Sequence, residues 1–375
     1  MGFKQWYRGR IRTAHSTTQL ICVITLGFLT VVLAGCGNPS SDGDKAETMT
    51  EGKSVGATLL PEMELPPDNP LTPFKVALGK QLFFDKRLSA TGEVSCETCH
   101  LPEMGWTDGK QFSTTSSGSV NSRHTPTLYN AGYYREWYWD GRAPTLEAQI
   151  LAAWRSQMGA EPEEITSRIA VIPEYQEQFR LYMETPVEAD SIVKALATFV
   201  RTIVSDDSPW DRYELGDENA VSREAVVGFE VFSDSEKANC TLCHLPPLYT
   251  DTLYHNIGVG FDRSEPDLGR GGFLERFLGE PSVEAEKLRG AFKTPTLRSI
   301  TETAPYFHDG SAETLEEAVD FVLGGGHPNP YLDEKLQPRD LTTQERDALM
   351  EFLGALTPEE EEFERPLLPR SVGGS

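Results

Sequence analysis

The pattern Cys-x-x-Cys-His occurs twice in this chain, as Cys96-Glu97-Thr98-Cys99-His100 and as Cys240-Thr241-Leu242-Cys243-His244. Six cysteines and seven histidines in 375 residues would produce on the order of 0.002 such matches by chance. The pattern is the attachment site of c-type haem, where two thiols add across the vinyl groups and the adjacent imidazole binds iron. A thiol redox pair or half a zinc site shares the Cys-x-x-Cys spacing. Neither accounts for the histidine that follows each pair, and no other cysteine stands nearby to complete a zinc tetrad. Two covalently bound haem c groups are therefore expected, on Cys96, Cys99, Cys240 and Cys243, with iron held by His100 and His244.

The two remaining cysteines, Cys22 and Cys36, lie near the start of the chain. Residues 1–35 carry Lys4, Arg8, Arg10 and Arg12 but no acid, followed by an apolar run from Leu20 to Ala34. That run is short for a membrane span and reads as the apolar region of an export signal. It ends in Leu33-Ala34-Gly35-Cys36, which looks like a bacterial lipobox, so cleavage before Cys36 and lipidation of its thiol are expected. The globular part then lies on the periplasmic side of a bacterial membrane. Residues 36–67 form a flexible tether rich in Gly, Ser, Pro and acids. The mature chain keeps 30 basic and 58 acidic residues, a net charge of −28. Such a surface excludes nucleic acid as a partner and steers small basic redox proteins towards it.

The rest of the chain repeats itself. Gly79-x-x-x-Phe83-x-Asp85 precedes the first haem motif, and Gly228-x-x-x-Phe232-x-Asp234 precedes the second. Thr125-Pro126-Thr127-Leu128 recurs as Thr294-Pro295-Thr296-Leu297, Asp140-Gly141 as Asp309-Gly310, and Thr145-Leu146-Glu147 as Thr314-Leu315-Glu316, each 169 positions on. The haem motifs are 144 positions apart. The second half therefore holds a longer insertion, assigned largely to a Gly-rich loop at Gly258–Gly279. Duplication of one haem domain accounts for the pattern, giving domains at 68–215 and 216–360 and a tail at 361–375.

Apolar spacing is helical. Ile192, Leu196, Phe199, Val200 and Ile203 fall on one helix face. Thr314-x-x-Glu317 and Thr342-x-x-Glu345 read as capping boxes, the latter opening a helix with Leu349, Phe352, Leu353 and Leu356. Strand-like alternation is scarce, so the fold class is all-α, with two cytochrome c-like domains in tandem and long loops.

These residues resemble the bacterial di-haem cytochrome c peroxidase and MauG family from about Pro70 to Leu356. The marks are Arg123-His124-Thr125-Pro126-Thr127-Leu128, Tyr138-Trp139-Asp140-Gly141-Arg142-Ala143, Ser208-Pro209-Trp210-Asp211-Arg212-Tyr213, Asp267-Leu268-Gly269-Arg270 and Thr303-Ala304-Pro305-Tyr306-Phe307-His308-Asp309-Gly310. The resemblance implies that the N-terminal haem meets peroxide, the C-terminal haem takes up electrons, and Trp139 lies between them. Trp137, outside the motif match, is expected to be a packing residue. Gln149, ten residues after Trp139, matches a family glutamine of the peroxide pocket.

Departures from the family pattern carry information. The loop Ser113–Ser119 has no histidine where many family peroxidases place a distal ligand, so the first haem is expected to be open. His124 stands where the family often has Asn beside an inter-domain calcium; this counts against calcium, although Thr303 and Pro305 are present. Packing or hydrogen bonding is the expected role of His124. The catalytic Glu of the family's E-M-G stretch is replaced by Gln157, which can hold peroxide but cannot relay a proton as a carboxylate does. Glu161, Glu163 and Glu164 are the nearby acids that could substitute. Fourteen residues after His308, where the family puts Met or Tyr as sixth ligand, stands Val322. His327, after three glycines, is the candidate replacement; His255 is expected to be structural and Met350 to be core.

The resemblance implies reduction of hydrogen peroxide to water with electrons from a small basic cytochrome c or cupredoxin, and it allows a homodimer. Two other readings are a MauG-like oxidase that modifies a partner protein and a non-enzymatic di-haem electron carrier.

Overall fold

A computed structural model of the protein describes residues 58–359 and 362–370. The export signal and Cys36 lie outside the described residues. Among the described residues eleven α-helices follow one another: α1 (Pro73–Phe84), α2 (Leu146–Ser156), α3 (Pro162–Ala170), α4 (Pro173–Gln178), α5 (Ala189–Val200), α6 (Pro209–Glu214), α7 (Arg223–Ser233), α8 (Gly269–Leu278), α9 (Val283–Lys287), α10 (Leu315–Leu323) and α11 (Thr343–Ala355). The only strands among the described residues are β1 (Tyr254–His255) and β2 (Phe292–Lys293), paired antiparallel. The described chain is thus largely helical, as the apolar spacing required. Among these residues no helix is long and apolar enough to cross a membrane.

Both capping boxes form. The Thr314 hydroxyl accepts from the Glu317 N–H at 3.2 Å, and the Thr342 hydroxyl accepts from the Glu345 N–H at 3.3 Å. In each, the glutamate side chain accepts in return from the threonine N–H, so two end donors of each helix are satisfied.

Two helix pairs organise two apolar cores. α1 crosses α5 in one, and α7 crosses α11 in the other. The first core runs from Leu78 to Ile203 and the second from Trp210 to Leu356. Each crossing turns on a glycine. A Cβ at Gly79 would collide with the Ala195 carbonyl oxygen, and one at Gly228 with that of Ala348. Only a hydrogen side chain lets these backbones approach so closely. Ile192, Leu196, Phe199 and Val200 of α5, and Ile203 just beyond it, are all buried. Met350 packs against the second core.

The stretch Gly258–Gly279, read from sequence as a loop, contains α8 over its second half. Glycine is a poor helix former, but tertiary contact decides here. A side chain at Gly271 would strike the Ala285 carbonyl oxygen, so the glycines allow α8 to pack on α9. Propensity alone misjudged this segment.

The two halves meet through matched main-chain bonds. The His124 N–H donates to the His308 carbonyl at 2.7 Å, and the Lys293 N–H donates to the Trp139 carbonyl at 2.8 Å. His124 and Lys293 are 169 positions apart, as are Trp139 and His308. Corresponding positions thus exchange the same bond in opposite directions. Around them, Arg123 pairs with Asp140 at 2.7 Å and with Asp267 at 2.7 Å, while Arg263 pairs with Asp309 at 2.6 Å. Beside the second core, a buried pair joins the Arg298 guanidinium to both carboxylate oxygens of Asp211 on α6, each at 2.7 Å.

Candidate haem sites

Each Cys-x-x-Cys-His motif forms a short 3-10 turn, Cys96–Thr98 and Cys240–Leu242. The following histidine N–H donates back to the first cysteine's carbonyl, at 3.1 Å for His100 and 2.9 Å for His244. This closes the turn between the first cysteine and the histidine. His100 Nδ1 lies 2.8 Å from the Trp106 carbonyl oxygen, and His244 Nδ1 lies 2.9 Å from that of Tyr249. A carbonyl can only accept, so Nδ1 carries the proton and Nε2 is left with a lone pair for iron. Burial holds both imidazoles below their ordinary pKa, hence neutral. Trp106 and Tyr249 both sit at positive φ, 60° and 52°, which turns their carbonyls back towards the histidines.

Three of the four thiols lack the depressed pKa of a disulfide-exchange pair. Redox-active cysteines have depressed pKa values. Burial instead pushes Cys96 and Cys240 up to about 12 and also raises Cys99. A zinc tetrad does not form either. Among the described residues, the candidate metal-holding group is Cys243, Asp251 and His255, and the His255 ring is already held by Asp251 at 2.9 Å and Asp333 at 2.5 Å. The donor set at both turns therefore suits an axially ligated haem.

One cavity of about 750 Å³ opens on the first motif. It brings together Cys96, Cys99, His100, Trp139, Gln149 and Gln157, residues spread over 62 positions of sequence. α2 supplies Gln149, Ile150, Ala153 and Trp154 to one wall, and Gln157 caps its end. Gln149 is half-buried rather than solvent-facing. The loop carrying Ser113–Ser119 is pinned to this helix end. Its Ser116 N–H donates to the Gln157 carbonyl at 2.8 Å, and Asn121 Nδ2 donates to Gln157 Oε1 at 2.8 Å. Glu161, Glu163 and Glu164 are exposed and do not line the cavity, so none of them replaces the family carboxylate.

Trp139 is half-buried at the seam between the halves. Its indole Nε1 donates to the His124 carbonyl at 2.9 Å, and its own carbonyl takes the Lys293 N–H. His124 is buried, with Nδ1 at 2.8 Å from the Lys110 carbonyl oxygen; burial lowers its pKa. Lys293 is buried too, donating from Nζ to the Glu136 carbonyl at 2.8 Å, and burial brings its pKa down to about 7. Trp137 donates from its indole to the Ala131 carbonyl at 3.0 Å and packs on the first core.

Residues 73–219 match the family described as di-haem cytochrome c peroxidase. Over 308 residues the chain is 41% identical to the methylamine utilization protein MauG of Methylorubrum extorquens, covering 81% of this chain and 84% of that one. The chain belongs to the bacterial di-haem cytochrome c peroxidase and MauG family. A second member, the cytochrome c551 peroxidase of Nitrosomonas europaea, is 32% identical over 332 residues, 85% of this chain and 93% of its own. Among solved structures, a MauG-like protein associated with microbial copper homeostasis superposes with a TM-score of 0.69 at 31% identity, covering 80% of this chain and 94% of the other. Members of the di-haem peroxidase and MauG family are haem oxidoreductases, and this chain is one.

His327 and Val322 lie outside the cavity wall. His327 is an exposed loop residue whose ring meets Phe321 edge-on at 5.4 Å, and Val322 is half-buried near the end of α10. Sequence reasoning missed Asn121, Trp106 and Tyr249. The aromatic residue six or five positions after each motif histidine was a usable signal for the last two. Nothing local marked Asn121.

Proposed function

We propose that the protein reduces hydrogen peroxide to water with electrons delivered by a small basic cytochrome c or cupredoxin. The observation that carries this reading is the single cavity in which His100 and two amide side chains, Gln149 and Gln157, face one space beside Trp139. Two haem c groups would be held covalently by Cys96 and Cys99 and by Cys240 and Cys243, in separate domains at about 68–215 and 216–360. A bound haem supplies one-electron transfer and cleavage of the oxygen–oxygen bond. The chain's own residues do the rest. His100 and His244 present neutral Nε2 lone pairs. Gln149 and Gln157 orient peroxide by hydrogen bonding, with Asn121 fixing the Gln157 amide. Trp139 couples the two halves. We place His327 as sixth ligand of the second haem, because Val322 has no donor atom.

We assign no calcium to the seam, since His124 offers ring nitrogen where the hard cation prefers oxygen. The mature protein begins at a lipidated Cys36 on the periplasmic side of a bacterial membrane. Mass spectrometry of the membrane fraction reads this directly, and an unmodified chain would refute it.

A second reading is MauG-like oxidation of a partner protein. It is favoured by the loop Ser113–Ser119, which has no histidine and is bonded to Gln157, and so suits a haem that reacts without prior reduction. The purified protein should carry two haems that stay on the denatured chain. It should consume peroxide in step with oxidation of a reduced small cytochrome c. Two haems with no donor-dependent peroxide consumption would refute the peroxidase reading and leave the oxidase and electron-carrier readings.

A further inference from the structure

We propose that the segment Glu362–Arg370 is a proximal brace for the first haem, with Phe363 and Arg365 as positioning residues. The proposal rests on the reading that Cys96, Cys99 and His100 hold that haem.

The segment follows the second half in sequence but packs on the first. Phe363 stacks on Phe84 with ring centroids 5.5 Å apart and meets Trp106 edge-on at 5.1 Å. The Lys80 ammonium lies 4.3 Å from the Phe363 ring centre. Two residues on, the Arg365 guanidinium bridges Glu97 and Glu103, reaching Glu103 at 2.6 Å. Gln81 Nε2 donates to the Leu367 carbonyl at 3.1 Å. Four kinds of contact thus hold one short segment.

What they touch gives the segment a role. Glu97 lies between the two haem-attaching cysteines. Trp106 supplies the carbonyl that fixes the proton on His100 Nδ1, and hydrogen bonding to the remote nitrogen of an axial imidazole sets its orientation and basicity. Phe363 therefore packs on the residue that aims the iron ligand, and Arg365 neutralises one carboxylate within the attachment turn and one just after it. The second half closes the same cluster from within. There Trp210 packs on Phe229 at 4.9 Å and on Phe352 at 4.8 Å, and Phe352 lies 6.0 Å from Tyr249, the counterpart of Trp106. In the first half the outermost aromatic comes from Phe363, some 260 positions away.

Charge and solvent both set haem potential. Uncompensated carboxylates beside the macrocycle stabilise ferric iron, and so does water admitted at Trp106. The experiment uses the full chain with both haems and the variants Arg365→Ala, Arg365→Lys and Phe363→Ala. Each haem's midpoint potential is followed optically, with electron paramagnetic resonance separating the two irons. The expected result is a lower midpoint for the first haem in Arg365→Ala and Phe363→Ala, an unmoved second haem, and substantial recovery in Arg365→Lys. Wild-type protein in high salt should move in the direction of Arg365→Ala, because screening weakens an exposed pair. Unchanged midpoints in both alanine variants, or equal shifts at both haems, overturn the brace. A wild-type chain carrying a single haem, on Cys240 and Cys243, overturns the reading beneath it and the brace together.

Discussion

Asn121 donates from Nδ2 to Gln157 Oε1 at 2.8 Å, so a loop residue fixes the side chain proposed to replace the glutamate of the family's E-M-G stretch. With its oxygen engaged, Gln157 has its N–H groups left as donors. It can hold a peroxide oxygen but has no proton of suitable acidity to transfer.

Restoring the carboxylate should therefore help. Gln157→Glu places a proton carrier at the helix end with Asn121 still donating to it. Peroxide turnover should rise by about tenfold or more, towards the range of general acid–base catalysis, and a carboxylate pKa should appear in the pH profile of kcat. Steady-state kinetics with a reduced small cytochrome c would show this. Unaltered turnover with unaltered pH dependence would mean that Gln157 does not face the peroxide.

The first haem should be open in the fully oxidised protein. The loop Ser113–Ser119 has no histidine, and its bonds to Gln157 hold it in place. Electron paramagnetic resonance should show a high-spin signal, and cyanide should bind without half-reduction. Two low-spin signals and no cyanide binding before reduction would reverse this and point to His124 as a ligand.

His327→Ala tests the second iron. Loss of a sixth imidazole should convert one haem from low to high spin and raise its potential, while leaving the first haem's spectrum in place. If the low-spin signal persists, His327 is a surface residue packed on Phe321 and nothing more.

The buried pair Arg298–Asp211 should carry the acid limit of the fold. Burial alone would raise the Asp211 carboxyl, but hydrogen bonding and charge from Arg298 outweigh it and hold the pKa below its usual value. A depressed folded-state pKa gives stability that is complete above the unfolded value of about 3.9 and is lost as pH falls through the folded one. Arg298→Ala should cost about 3 kcal/mol or more at neutral pH by leaving a buried charge unpaired. Asp211→Asn should lower the melting temperature at pH 7, with the gap to wild type narrowing below about pH 4. Thermal melts across pH measure both. A gap of constant size would show that Asp211 does not titrate with folding.

What could be read from sequence was local or periodic. The haem motifs, the two capping boxes and the face of α5 depend on residues a few positions apart. The 169-residue offset exposed the repeat because Thr-Pro-Thr-Leu and Asp-Gly survive in both copies. The rest is made by distant residues meeting. Asn121 is 36 positions from Gln157, and Phe363 reaches Trp106 across the whole second half. The glycines of α8 were misread because their value lies in what they allow to approach.

The reciprocal bonds at the seam have the logic of a two-fold symmetric dimer, where position i of one subunit contacts j of the other and j contacts i. Here both subunits lie on one polypeptide. Such an isologous arrangement starts with two equal partners, and covalent linkage then releases each to diverge without losing the other. Trp139 and His308 occupy equivalent places but differ in chemistry: an indole that donates to the His124 carbonyl, against an imidazole stacked on Phe292 at 3.5 Å. Symmetry supplies the framework, and at this pair, as at His124 and Lys293, the two halves depart from it.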